Sequence, residues 1–479
     1  MATTLYDGAA RRSALDRADR LRHLSDTEKD LVRLACEPGF ERWLEQTRAT
    51  GGCARPVYLS GHIIVTDRTT GAVVRHYDTA GEPGGRLPVR CRNRRASVCP
   101  PCSREHSGDT FHLVRAGLVG GKGTPARVVE HPRLFVTLTA PSFGAVHRAG
   151  PDRCRPRRGG GDCEHGRPVG CGLVHSEADA AIGRPLCSDC YDYASHVLWH
   201  AHAGELWNRT CRAVRRCLAT AAGITQTDLA RHLRVSFAKV AEYQRRGAVH
   251  FHAVIRLDGP DGPDTPPPSW ADAALLADAI RTATAAVQVR MPYTAAVGEY
   301  AFRWGEQVDM HPIREFGDGS AITDEAVAAY VAKYVGKSLG DSGGLDHRVH
   351  DAGTIALAPV SDHLRALMGA CWRLGDLPEL AHLRLRGWAH TLGYRGHCLT
   401  KSRLYSTTYT ALRAARASFR TGQREDGSPA DTVTDSAWRY VGSGHTPGAA
   451  EIAAGIAEDL AVLREVRRLS TGTPERPDG

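Results

Sequence analysis

The chain has 479 residues, 42% of them hydrophobic, and a net charge of +9. That length supports two or three domains with sizeable cores, and the moderate positive charge favours an anionic partner such as nucleic acid. No stretch approaches the roughly 20 apolar residues that span a bilayer, and Met1–Tyr6 lacks a basic segment followed by an apolar run, which argues against a membrane or secreted protein and for a cytoplasmic one.

In chain order, residues 1–50 read as a charged helical segment, with Leu31-Val32-Arg33-Leu34-Ala35 and Phe40-Glu41-Arg42-Trp43-Leu44 as its apolar stripes. Residues 51–125 are rich in Gly, Cys and Arg, with short strand signals. Leu134 to Thr139 is a strand ended by Pro141. A second Cys/His/Gly/Arg-rich segment occupies 150–195, and a long helix follows near 195–221. Strands at 234–243 and 249–257 flank Arg245-Arg246-Gly247, which reads as a hairpin turn. A Pro/Gly/Asp loop at 259–268, a helix near 270–287 and a strand near 307–313 come next. Thr323-Asp324-Glu325 then opens a helix whose body is 326–334. Residues 341–420 form a basic, mostly helical region, and 421–479 a linker, a last helix near 448–468 and a polar tail. Leaving out the cysteine segment, the order β-α-β-β-α-β predicts an α+β domain at 130–340 of ferredoxin-like topology, with an antiparallel sheet and helices on one face.

Residues 330–337 read Tyr-Val-Ala-Lys-Tyr-Val-Gly-Lys. Only 6 of the 62 Lys and Arg residues are lysines, yet Lys333 and Lys337 both fall here, each three residues after a tyrosine. Residues four apart share a helix face, so Tyr330 and Tyr334 point the same way with cations nearby. This layout suits tyrosine nucleophiles, and equally an amphipathic helix with buried rings and snorkelling lysines.

His250-Phe251-His252 lies in the second strand of the hairpin. Residues two apart on a strand face the same side, so both imidazoles project together, about 7 Å apart at the backbone. With a third ligand they can hold a divalent metal. A turn centred on Arg246 pairs Glu242 with His250 and places its carboxylate on that side; Gln244, opposite Ala248, is the alternate. His200-Ala201-His202 repeats the spacing without that context.

A His-hydrophobic-His strand followed by a Tyr-x-x-Lys helix resembles the HUH endonucleases: rolling-circle replication initiators, conjugative relaxases and related transposases. Phe135-Val136-Thr137-Leu138-Thr139-Ala140-Pro141 is similar to their first motif. Together with Gly51-Gly52-Cys53, Cys99-Pro100-Pro101-Cys102 and Leu186-Cys187-Ser188-Asp189-Cys190-Tyr191, the layout over about 50–415 resembles the initiators of actinobacterial plasmids and integrative conjugative elements, the RepSA type. The resemblance implies an HUH domain at 130–340 that nicks and rejoins one DNA strand at an origin. His250, His252 and Glu242 would bind Mg²⁺ or Mn²⁺ as a Lewis acid on the scissile phosphate. Tyr330 first, Tyr334 second, would form a 5′-phosphotyrosyl link, with Lys333 and Lys337 as point charges beside the phosphate.

The cysteine segments predict structural zinc, with ligand sets read from spacing. Cys99 and Cys102 form a knuckle, with Cys91 upstream and Cys53 as fourth ligand, or His106 in its place. Arg92, Arg94, Arg95 and Arg104 decorate this knuckle and suit phosphate contacts. A second zinc would use Cys163, Cys171, Cys187 and Cys190, with His165 or His175 as alternates. Gly117 to Gly123 fails the phosphate-loop pattern, so no nucleotide cofactor is expected. Unwinding then falls to a host helicase, and the other partners are single-stranded or extruded origin DNA and the host replication machinery. A relaxase or single-strand transposase would keep the same chemistry. A zinc-ribbon DNA-binding regulator without catalysis is the rival of another class.

Overall fold

Apolar residues at both parities of the central strands require a sheet buried on two faces. The computed structural model describes residues 22–155, 161–314, 322–336, 344–422 and 431–470. Two compact units divide the chain, Met1–His106 with Arg416–Gly479, and Ser107–Ala415. Numbering the strands of the larger unit and its helices of ten or more residues, the order is α1 (Pro100–Val119), β1 (Arg133–Leu138), α2 (Tyr193–Ala221), β2 (Arg234–Tyr243), β3 (Val249–Asp258), α3 (Ala273–Ala286), β4 (Val289–Thr294), β5 (Gly298–Phe302), β6 (Val308–Arg314), β7 (Ile322–Thr323), α4 (Asp324–Gly336), α5 (Asp362–Leu374), β8 (Leu399–Lys401) and α6 (Tyr409–Gly422). α1 begins, and α6 ends, in residues of the smaller unit.

Six strands form one sheet in the order β7-β6-β1-β3-β2-β8. The strands of the expected β-α-β-β-α-β run are β1, β2, β3 and β6. They lie side by side as fourth, first, third and second, each antiparallel to its neighbour. β7 adds a parallel pair to β6, and β8 an antiparallel one to β2. The hairpin β4–β5 interrupts the passage from α3 to β6, where the sequence pattern gives no strand signal.

Side chains alternate between the faces of each strand. Leu134, Val136, Leu138, Phe251, Ala253 and Ile255 pack on one side beneath α2 and α3. Phe135, Ala238, Val240 and Val254 pack on the other with Phe111 and Leu118 of α1, Val327 and Val331 of α4, and Leu412 of α6. The expected one-sided arrangement therefore holds for the two crossover helices and not for the domain: the tyrosine helix closes the opposite face. A buried network pins that face. Arg256 donates to both carboxylate oxygens of Asp258 at 2.6 and 2.9 Å, His131 Nδ1 meets Asp258 at 2.8 Å, and Arg256 reaches the Gly117 and Tyr405 carbonyls. A Cβ on Gly117 would lie 2.2 Å from the Tyr405 ring, so α1 approaches this closely only because residue 117 has no side chain.

The two compact units divide the chain differently from the sequence expectation, beginning with 107–125, which lie in the larger unit. Segments 1–50, 51–125 and 421–479 were read as separate, yet Val57–Asp67 pairs along its whole length with Thr432–Ser443 in the smaller unit. Residues 344–415, read as part of a separate region at 341–420, belong to the larger unit, where β8 extends the sheet and α5 packs on α2. The latter two differences come from pairings between residues far apart in the chain, which local patterning does not encode. No helix among the described residues is long and apolar enough to cross a membrane.

Candidate metal and nucleophile site

The register of the β2–β3 hairpin decides which side chains meet. Gly247 adopts φ +77°, its N–H donates to the Gln244 carbonyl at 2.8 Å, and the Gln244 N–H donates to Ala248 at 2.9 Å. That closure sets Glu242 opposite His250 and Val240 opposite His252. Gln244, the alternate ligand, instead accepts from Arg246 Nε at 2.8 Å within the turn.

Glu242 Oε2 lies 2.9 Å from Nε2 of His250 and 2.9 Å from Nε2 of His252, and the two nitrogens are 3.3 Å apart. Glu242, His250 and His252 thus offer three converging ligand atoms. Thr137 on β1 stands opposite His252, and its hydroxyl lies 3.0 Å from Nδ1. This contact holds the ring through one nitrogen and turns the other towards the ligand group. Phe135 stacks parallel to the His252 ring at 5.8 Å. Burial pushes the Glu242 carboxyl up, but hydrogen bonds and charge from His250 and His252 outweigh it and hold the group at about 2. Burial lowers His252, against the opposing pull of Glu242. An anionic carboxylate beside two imidazoles is a donor set that could hold a divalent cation.

α4 brings the tyrosines to this group. The Thr323 hydroxyl accepts the Ala326 N–H at 3.2 Å, and Asp324 pairs with buried Arg133 at 3.1 Å. Val327, Ala328, Val331, Ala332 and Val335 pack onto the sheet, leaving Tyr330 and Tyr334 half-buried. Tyr330 Oη lies 3.1 Å from His252 Nε2, the nitrogen that also meets Glu242. The Tyr334 ring lies 4.5 Å from that of Tyr330 and 6.0 Å from that of His252. Burial first, then the Glu242 charge, raises both phenols above their ordinary range. Lys333 is half-buried and has no hydrogen-bond or ion-pair partner among the described residues. Lys337 lies outside the described residues.

In the smaller unit, Cys53, Cys91, Cys99 and Cys102 converge as the spacing predicted, and His106 stays outside the group. Backbone N–H groups of Ala54 and Cys91 point at the sulfurs of Cys99 and Cys53, each at 3.3 Å. Such contacts favour thiolates. Arg92 and Arg104 are exposed beside this knuckle, and Arg94 and Arg95 are half-buried. Arg464 from the last helix joins them, its guanidinium lowered by burial first and then by the charges of Arg104 and Arg90. Sequence spacing gave no sign of Arg464, because 360 residues separate it from Arg104.

The segment 150–195 differs from its expected ligand set. Cys163, His165, Cys187 and Cys190 form one group, whereas Cys171 and His175 join His147 and Cys154 in another. Cys171 is therefore displaced from the predicted second site, and His165 takes its place. His147 lies before the Cys/His-rich segment at 150–195, and nothing in the spacing singles out Cys154 from the other cysteines of that segment. These Cys/His clusters have the donor types and the convergence that zinc requires.

The fold and the clusters define a mixed α and β protein with largely antiparallel sheets and several groups fit to hold metal. The model of the family described as RepSA, replication initiator protein, pSAM2, matches residues 39–458. The chain is also 48% identical over 450 residues to a replication initiator protein of Streptomyces ambofaciens, covering 92% of this chain and 94% of that one. No solved structure matches significantly. The chain belongs to the RepSA family of replication initiator proteins.

Proposed function

We propose that this initiator has an HUH endonuclease domain and nicks one strand of its origin DNA, with Tyr330 as nucleophile, to start rolling-circle replication. The observation that carries this reading is the 3.1 Å approach of Tyr330 Oη to the nitrogen of His252 that also meets Glu242. Nucleophile and metal group then face one phosphate. Attack of Oη on the phosphorus breaks the P–O3′ bond, leaving a 5′-phosphotyrosyl link and a free 3′-OH that can later reverse the step. Mg²⁺ or Mn²⁺ held by Glu242, His250 and His252 would supply Lewis-acid polarisation of the scissile phosphate. Thr137 and Phe135 position the His252 ring. Tyr334, one helical turn on, is the second acceptor for strand transfer, and Lys333 offers charge to the phosphate.

Zinc held by Cys53, Cys91, Cys99 and Cys102 orders the knuckle whose Arg92, Arg94, Arg95 and Arg104 contact origin phosphates. A second zinc sits with Cys163, His165, Cys187 and Cys190. Host helicase and polymerase extend the nick in the cytoplasm.

The test is incubation with Mn²⁺ and supercoiled DNA carrying the protein's own locus. The expected product is an SDS-stable protein–DNA adduct that His252→Ala and Tyr330→Phe both abolish. Trypsin cleavage after Lys333 separates Tyr330 from Tyr334, so mass spectrometry of the adduct names the nucleophile. Intact binding to origin DNA with no adduct under any metal would favour the non-catalytic regulator.

A further inference from the structure

The segment between β1 and α2 carries two ligand groups where its sequence predicted one. Among its apolar residues, Val169, Leu173 and Val174 are exposed, while Cys154 and His175 are buried. Phe143, Val146 and Tyr191 anchor the ends of this stretch in the core, and hydrophobic burial does little for the part between them. What converges instead is a set of two thiols and two imidazoles. His147 Nδ1 lies 3.2 Å from His175 Nε2, Cys171 Sγ lies 3.3 Å from the same nitrogen, and the Arg148 N–H donates to Cys154 Sγ at 3.3 Å. Backbone hydrogen bonds between Cys154 and Leu173, Gly172 and Cys154, and Cys171 and Arg155 lock the two halves of the group in register.

A second observation points to a metal. His175 Nδ1 is held at 2.6 Å by Asp179 Oδ2, and the other oxygen of Asp179 accepts the Ala181 N–H at 2.8 Å. A carboxylate that fixes a histidine through one nitrogen and aims the other at a thiol-rich centre is the usual support of a zinc-bound imidazole. Two thiolates and two imidazoles suit tetrahedral Zn²⁺.

We propose that His147, Cys154, Cys171 and His175 hold a further zinc ion, interlocked with the ion assigned above to Cys163, His165, Cys187 and Cys190. Ligand pairs alternate along the chain: 147 and 154 for this site, 163 and 165 for the other, 171 and 175 for this one, 187 and 190 for the other. The loop closed by either ion contains a ligand pair of its partner. The piece of chain that forms either site must then span a ligand pair of the other, and loss of one ion releases the tether of its partner. Asp179 is a positioning residue. The interlock rests on the zinc reading of the second group; the new site does not.

The test is zinc content of the full-length protein after dialysis, with Cys36→Ser, at an exposed cysteine outside every group, as control. Three zinc ions per chain are expected, and one after Cys154→Ser or His175→Ala, since the Cys53 group keeps its own. Asp179→Asn retains all ligands and should weaken one zinc about 10–100-fold in competition with a chromophoric chelator. A count of two that His175→Ala leaves unchanged, or a Cys154–Cys171 disulfide found by mass spectrometry, overturns the site. A fall from three to two on the same variant overturns the interlock. Cys190→Ser leaving the count unchanged would instead refute zinc in the second group.

Discussion

Thr137→Val tests whether the His252 contact is part of the metal site. The Thr137 hydroxyl lies 3.0 Å from His252 Nδ1, and β1 is paired on both sides, by β3 and β6. Valine has nearly the same shape and the same preference for strands, so the sheet is retained. The lost hydrogen bond costs about 0.5–1.5 kcal/mol of stability, rising to about 1–3 kcal/mol if Nδ1 is left without a partner. The larger expected effect is on metal. Removing a group that orients a metal-bound histidine typically lowers affinity about 10–100-fold, which is about 1.4–2.8 kcal/mol at 1.4 kcal/mol per tenfold. Mn²⁺ titration of the zinc-loaded protein, with free Mn²⁺ followed by electron paramagnetic resonance, reads this directly. Nicking rate against Mn²⁺ should shift its midpoint by the same factor and reach a similar plateau. A dissociation constant within twofold of the parent's would refute the reasoning, as would a fall in plateau with no shift in midpoint.

Tyr334→Phe should still form the first covalent adduct in a single turnover, within about tenfold of the parent rate, because the Tyr330 hydroxyl that lies 3.1 Å from His252 Nε2 remains; loss of that adduct in a gel assay would reassign the nucleophile. Arg256→Met leaves Asp258 buried without its guanidinium, and the larger unit should lose about 3–5 kcal/mol in urea unfolding, part of it recovered when Asp258→Leu is added. A loss under about 1 kcal/mol would mean that the network is dispensable. Cys99→Ser should remove one zinc and open residues 51–106 to limited proteolysis while residues 107–415 stay protected. Unchanged digestion of 51–106 would show that the unit stands without metal.

The candidate site was legible to the extent that its parts are local. A Gly-containing turn and two strands of matched length pair Glu242 with His250 by counting outward from Arg246, and the structure has that register. The helix at 326–334 follows from its capping residues and apolar spacing, and appears as Asp324–Gly336. Cys53, Cys91, Cys99 and Cys102 converge as a group because two of them form a knuckle and the others lie in one flanking stretch. Cys171 lies with other partners than its spacing suggests, for the converse reason. Eight Cys and His ligands within 147–190 can be divided into two sets of four in many ways, and spacing alone ranks them by proximity, whereas here the pairs alternate.

The sequence by itself determined the elements and the chemistry on offer: β-α-β-β-α-β, a His-x-His strand, a tyrosine helix and cysteine-rich stretches, since turn residues, side-chain periodicity and ligand spacing act over a few residues. Only the tertiary structure decided that the tyrosine helix packs on the face of the sheet that carries Glu242, His250 and His252, and that the Tyr330 hydroxyl comes within 3.1 Å of His252 Nε2. It also decided that Val57–Asp67 finds its partner strand at Thr432–Ser443. These outcomes depend on burying both faces of one sheet and pairing its edges, free energies set by residues hundreds of positions apart.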